Sequence, residues 1–147
     1  MMADVIFDVD GTLMDIEHRR HHVEQKPKDW DAFREDMVYD KPNEDVVMMA
    51  KLLKEAGHRI IIATGRLEQD KPLTITQLKD AGVEFDLALF RGIWERYKPD
   101  SEVKEGMLGD MIKLGFNPTM AFDDRSRVVD MWRYNGLRVF QVDKGDF

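Results

Sequence analysis

Short apolar runs alternate along this chain with segments whose apolar positions recur at helical spacing. Val5-Ile6-Phe7, Arg59-Ile60-Ile61-Ile62-Ala63, Asp86 to Phe90, Met120-Ala121-Phe122 and Leu137 to Val142 read as five strands. Between them, Asn43 to Ala56 reads as a helix. Asn43 is its expected cap, Glu44 and Asp45 suit the positive end of the dipole, and Gly57 stops it. Val46, Met49, Leu52 and Leu53 form its expected apolar stripe. Pro72 to Ala81 is a helix closed by Gly82. Ser101 to Leu114 is a helix closed by Gly115, although Gly106 and Gly109 weaken its propensity. Ser126 to Tyr134 is a helix with Val128, Val129 and Trp132 on one side, ended by Asn135-Gly136.

This repeated strand–helix–strand order predicts an α/β fold: a Rossmann-like, five-stranded parallel sheet with helices on both faces. One domain over residues 1–147 is expected. Ligands in such folds bind at the carboxyl ends of the strands. The conspicuous polar residues fall at those ends: Asp8 and Asp10 after the first strand, Thr64-Gly65-Arg66 after the second, Asp123-Asp124 after the fourth. Residues 15–42 break the alternation. With Trp30, Phe33, Met37 and Tyr39 at roughly helical spacing, they predict a small helical cap insert near the mouth of the site.

Composition narrows the partners. A net charge of −7 argues against stable duplex DNA binding, which rests on Lys and Arg neutralising phosphates. A short nucleic-acid end or a small phosphate ester stays compatible with it. With no cysteine, disulfides and thiolate metal sites are excluded. Asp4, Asp8 and Asp10 stand where a signal peptide needs an uncharged apolar run, and no apolar stretch approaches the roughly 20 residues that span a bilayer. A cytoplasmic location without membrane partners is expected.

The candidate chemistry centres on Asp8-Val9-Asp10-Gly11-Thr12. On a continuing strand the two carboxylates would share a face and repel. A turn at Gly11, where positive φ is accessible, would aim both into one pocket suited to Mg²⁺ and a phosphate ester. There Asp8 is the candidate nucleophile and Asp10 the candidate acid and base. An Asp- and Gly-rich surface turn is the competing reading. Thr64 suits donation to phosphoryl oxygens, or a strand-end cap. Lys104 shares a helix face with Asp100, either as a solvated ion pair or as a cation held against phosphate and nucleophile. Asp123-Asp124 can complete an oxygen-rich Mg²⁺ site with Asp8 and the Asp10 carbonyl.

In this order, Asp8-Val9-Asp10-Gly11-Thr12, Thr64, Lys104 and Asp123-Asp124 resemble the four motifs of haloacid dehalogenase-type phosphatases. Receiver domains use similar residues, but their phosphorylated Asp lies mid-chain and their Lys comes last. The stretch from Phe122 to Arg133 and the ending Gln141 to Phe147 are further similar to the phosphatase domain of phage-type polynucleotide kinases. That resemblance implies that Arg19, Gly65, Arg66, Asp100 and Asp123 serve substrate binding. It also implies that Asp124 is the direct metal ligand beside Asp8 and Asp10, and, for a phage protein, a host-cytoplasmic location. No Gly-x-x-x-x-Gly-Lys-Ser/Thr loop occurs in these residues, so ATP-dependent kinase activity is not expected of them.

The expected activity is Mg²⁺-dependent hydrolysis of a nucleotide phosphate through an aspartyl phosphate. The substrate is a nucleic-acid 3′ end or a nucleoside monophosphate. A 5′-nucleotidase, a broader metabolite phosphatase and a non-catalytic phospho-ligand binder are the alternatives. Selectivity is expected from the insert, where Arg19, Arg20, Lys26 and Lys28 outnumber Glu17 and Glu24. The same segment also fits a merely solvated helix and loop. His21 and His22 point apart on a helix, which argues against a metal site with His18. Trp30 or Phe33 can stack on a base or pack the insert, and Arg91 and Trp94 can reach the site or pin their loop. Exposed aromatics in the insert would suit a homo-oligomer.

Overall fold

The computed structural model describes residues 1–145; Asp146 and Phe147, the end of the stretch similar to the kinase-linked phosphatases, lie outside the described residues. In chain order the elements are β1 (Asp4–Phe7), β2 (Met14–Asp15), α1 (Glu17–Glu24), α2 (Trp30–Glu35), a 3₁₀ turn (Asp36–Tyr39), β3 (Lys41–Pro42) and α3 (Glu44–Glu55). They continue with β4 (Arg59–Leu67), α4 (Lys71–Asp80), β5 (Leu87–Arg91), α5 (Asp100–Lys113), β6 (Pro118–Asp123), α6 (Ser126–Tyr134) and β7 (Arg138–Gln141).

Five strands pair in the order β5-β4-β1-β6-β7. Every pairing is parallel. The Rossmann-like α/β expectation is met, and the reason is visible in β1. Val5 and Phe7 face one core with Val46, Val47 and Ala50 of α3 and Leu78 of α4. Ile6 faces the other, with Val103, Met107 and Met111 of α5 and Val128, Val129 and Trp132 of α6. Burial on both faces is why β1 and β4 read as unbroken apolar runs.

Three local expectations need correction. The buried face of α3 is Val46, Val47 and Ala50, while Met49 and Leu52 are exposed. Val46 and Leu53 of the expected stripe do pack on the core, with Val47 and Ala50 in place of Met49 and Leu52. Asn43 occupies the cap position but makes no side-chain capping bond; its Nδ2 donates instead to the Thr12 carbonyl at 2.9 Å. β4 runs on to Leu67, so Thr64-Gly65-Arg66 lies within the strand, across a register shift between Ala63 and Leu67.

Residues 15–42 follow the central strand β1 and are closed off by a separate two-stranded ladder, Met14 opposite Pro42 and Asp15 opposite Lys41. Between those strands stand α1, α2 and the 3₁₀ turn. The aromatic spacing is split among them: Met37 is buried, whereas Trp30 and Tyr39 are exposed. Among the described residues no helix is long and apolar enough to cross a membrane.

Candidate active site

Gly11, at φ +81°, turns the chain immediately after β1. The Asp8 N–H still donates to the Phe122 carbonyl at 3.0 Å, so Asp8 is held in the sheet while Asp10 enters the turn. A Cβ at Gly11 would collide with the Asp124 carboxylate, so the approach of these segments requires the glycine. The surface-turn reading therefore fails: Asp8, Asp123 and Asp124 are all buried.

Lys104 reaches this cluster from α5, where it occupies the core face between Val103 and Met107. Its Nζ donates to Asp8 Oδ1 at 2.7 Å and Asp123 Oδ2 at 3.1 Å, with Asp100 Oδ2 at 3.7 Å. The solvated i,i+4 pair expected as one reading of Lys104 and Asp100 is thus a buried contact. Burial alone would lower the Lys104 pKa, but the carboxylates of Asp123, Asp8 and Asp100 outweigh it and hold the ammonium charged. Asp8 is pushed well above the usual carboxylate range by burial and then by Asp123; Lys104 offsets only part of this. Thr12 Oγ1 donates to Asp8 Oδ2 at 3.0 Å.

The two adjacent aspartates differ in satisfaction. Asp123 Oδ1 accepts the Asp124 N–H at 2.9 Å and the Arg125 N–H at 3.4 Å. Its Oδ2 accepts from Lys104 and, at 3.1 Å, from Trp132 Nε1. Asp124 Oδ2 is buried with no hydrogen-bond partner, and the Arg20 guanidinium stops 3.8 Å away. Burial, then Asp123, raise the Asp124 pKa to about 6. One ligand atom from each of Asp8, Asp123 and Asp124 lies within 4.8 Å of the others. An orphaned buried oxygen, crowded carboxylates and an all-oxygen donor set fit a hard divalent cation.

Asp10 stands in a different environment. Its Oδ1 accepts from Arg19 Nη2 and Arg66 Nε, each at 2.9 Å. Burial would raise its pKa, but Arg66 and Arg19 outweigh that and hold it low. Both arginines are buried, and both also grip Asp40: Arg19 through Nε and Nη2 at 2.8 and 2.7 Å, Arg66 through Nη2 at 2.9 Å. Thr74 and Gln77 of α4 take Arg66 Nη1 at 3.0 and 2.6 Å, and the Phe33 carbonyl takes Arg19 Nη1 at 3.2 Å. The two arginines expected to bind substrate therefore spend their donors on aspartates and neighbours, with Arg19 fully buried.

Thr64 is buried in β4 and accepts the Arg66 N–H on Oγ1 at 3.1 Å, which leaves its hydroxyl hydrogen to donate. Gly65 packs against the Asp100 carboxylate, where a Cβ would collide. Asp100 in turn accepts from Arg91 at 3.0 Å. Arg91 pins its own loop. The insert histidines bond aspartates, His18 to Asp40 and His22 to Asp36, each at 2.7 Å.

Asp40 and Trp132 escaped the sequence reading. Asp40 sits between the exposed Tyr39 and Lys41, and nothing in the local pattern distinguishes it from a surface acid. Trp132 counted only as apolar surface, yet its indole N–H aims Asp123.

Over residues 2–147 the chain matches the family described as the polynucleotide kinase PNKP phosphatase domain. It superposes on a chain of the Pnkp1/Rnl/Hen1 complex with TM-score 0.81 at 30% identity, covering 99% of this chain and 48% of that one. A second structure, of the Pnkp1/Rnl/Hen1 RNA repair complex, has the same TM-score and identity, covering 99% of this chain and 44% of that one. The chain thus spans about half the length of these two solved chains. A hydrolase from Streptococcus pneumoniae TIGR4 shares the fold, with TM-score 0.68 at 15% identity over 97% of this chain and 94% of its own.

Proposed function

The chain belongs to the polynucleotide kinase phosphatase-domain family of haloacid dehalogenase-type phosphatases, and from that premise we propose that it hydrolyses the phosphomonoester at a nucleic-acid 3′ end. The observation that carries the chemistry is Asp8: a buried carboxylate touching Lys104 at 2.7 Å, beside the unpartnered oxygen of Asp124. A strand end as substrate is supported by the family and by similarity to chains in an RNA repair complex. A free nucleoside monophosphate is the second reading, favoured by the net charge of −7.

In this account a carboxylate oxygen of Asp8 attacks phosphorus and the bond to the ester oxygen breaks. Asp10, which must first take up a proton against the pull of Arg66 and Arg19, gives it to that oxygen. Water then attacks the aspartyl phosphate and returns a proton to Asp10, releasing inorganic phosphate and Asp8. The arginine contacts on Asp10 fall on Oδ1, so the proton moves at Oδ2. Arg19 and Arg66 act as positioning residues for Asp10, and Asp40 holds both. Lys104 favours the ionised form of Asp8 against part of the burial that raises it and neutralises incoming phosphate, while Thr64 donates to a phosphoryl oxygen. Asp8, Asp124 and the Asp10 carbonyl would hold Mg²⁺, which supplies charge neutralisation to the transferring phosphoryl group. Asp123 orients Lys104 from behind.

A substrate panel with Mg²⁺ tests the proposal: 3′-phosphorylated oligonucleotides, 3′- and 5′-nucleoside monophosphates and sugar phosphates. The expected order places 3′-phosphorylated oligonucleotides first, with turnover lost in Asp8→Asn. Fastest turnover of sugar phosphates would overturn the substrate, and equal turnover by Asp8→Asn would overturn the mechanism.

A further inference from the structure

The segment between β5 and α5, Gly92-Ile93-Trp94-Glu95-Arg96-Tyr97-Lys98-Pro99, carries exposed side chains that the reaction at Asp8 does not use. Arg91, buried at its base, anchors it. Its Nε donates to the Gly65 carbonyl at 3.0 Å, Nη1 to the carbonyls of Glu95 and Lys98 at 2.8 Å, and Nη2 to Asp100 at 3.0 Å. Glu95 turns inward to accept the Gly92 N–H at 3.2 Å. Asp100 lies 3.7 Å from Lys104 Nζ, and Lys104 touches Asp8. The loop is therefore fixed to groups that border the reacting carboxylate.

What this scaffold presents outward is two aromatic rings interleaved with two cations. Trp94 is 80% exposed and Tyr97 86% exposed, and Arg96 and Lys98 are exposed between and beside them. The indole lies over Gly92, where a Cβ would come within 2.6 Å of the ring. The Arg96 guanidinium stands 4.9 Å from the Tyr97 ring centroid. With Glu95 hydrogen-bonded inward, the outward-facing charge of Arg96 and Lys98 is positive on a chain of net charge −7. A lone exposed aromatic needs no explanation. Rings alternating with cations on an anchored loop, however, match the surfaces on which successive bases stack while their phosphates are neutralised.

We propose that Trp94 and Tyr97 form a stacking platform for the nucleotides preceding the scissile 3′-phosphate of a single strand, with Arg96 and Lys98 against its internucleotide phosphates. This rests on the nucleic-acid 3′-end reading above and extends it: the enzyme would select a strand of several nucleotides over a mononucleotide.

The test compares kcat/KM for a short 3′-phosphorylated oligothymidylate with that for an aryl phosphate carrying no base. It uses wild type, Trp94→Ala, Tyr97→Ala and Trp94→Phe. The oligonucleotide-to-aryl ratio is expected to fall about tenfold in each alanine variant, mainly through KM, and to recover in Trp94→Phe. Because the readout is a ratio, a variant that merely loses folded protein leaves it unmoved. Wild-type turnover of the oligonucleotide with an unchanged ratio in both alanine variants would overturn the platform and leave the proposed function standing. No wild-type turnover of the oligonucleotide, with the aryl phosphate hydrolysed, would overturn the 3′-end reading and the platform with it.

Discussion

Asp4 and Asp8 stand at opposite ends of β1, and their surroundings have opposite signs. At the amino end of the sheet, Arg59 forks onto Asp4 with two bonds of 2.7 Å, and the Asn117 N–H adds a third at 2.6 Å. The hydrogen bonds from Arg59 outweigh burial and lower the Asp4 pKa. At the carboxyl end, burial and then Asp123 raise the pKa of Asp8, and Lys104 offsets only part of the crowding. Asp10 shows that the edge itself is not the cause. It lies at the same end as Asp8, yet Arg66 and Arg19 hold it low against the burial that would raise it. The difference is whether the protein supplies arginines, one forked onto Asp4 and two converging on Asp10 Oδ1. Where it does, the protein itself compensates the carboxylate's charge. Where it does not, the charge is left to be completed by a cation and a phosphate.

Removing each carboxylate in turn separates the two environments. Asp8→Asn should lower turnover by about 10⁴-fold or more, while the melting temperature of the metal-free protein at neutral pH stays level or rises. A loss of melting temperature would show that Asp8 is a structural charge like Asp4. Lys104→Met should come next. Asp8 and Asp123 lose their shared ammonium, so turnover should drop by about 10²–10³-fold and stability by about 3 kcal/mol, read by steady-state kinetics and denaturant melts. Asp4→Asn should do the reverse of Asp8→Asn, removing about 1–2 kcal/mol of stability and keeping turnover within about twofold. Lost turnover in Asp4→Asn, at a temperature where it is folded, would mean that the two ends are coupled.

Much of the carboxyl edge was legible because strand ends announce themselves. Asp8, Asp10, Asp123 and Asp124 each follow an apolar run, and the parallel order carries them to one side of the sheet. Lys104 was legible as a motif position, but its burial was not; a lysine on the core face of α5 is resolved only by knowing what that face covers. Arg66 was expected to point toward substrate, yet it lies in β4 facing α4 and the insert, and its donors are taken by Asp10, Asp40, Thr74 and Gln77. The contacts that decide this, above all from Asp40, come from segments distant in sequence whose relative placement no local periodicity encodes. The same holds for the face of α3, set by contact with β1 and β4 rather than by its own pattern.

On the reading proposed above, a divalent cation completes the charge at the carboxyl edge and protons compete for the same oxygens. The Asp124 carboxyl, raised from 3.8 to about 6, favours folding when protonated. That contribution is full below about pH 4 and is lost as pH rises through about 6. Asp4 has the opposite sign: its lowered pKa contributes above its ordinary value and is lost only as pH falls through the folded-state value. Thermal melts with and without Mg²⁺, at about pH 5 and about pH 7, report the first effect together with that of Asp8, whose carboxyl is also pushed up. Mg²⁺ is expected to raise the melting temperature about 3–5 °C more at the higher pH than at the lower, and Asp124→Asn to shrink this difference. An equal Mg²⁺ effect at both pH values, or a difference that Asp124→Asn leaves unchanged, would contradict this reading.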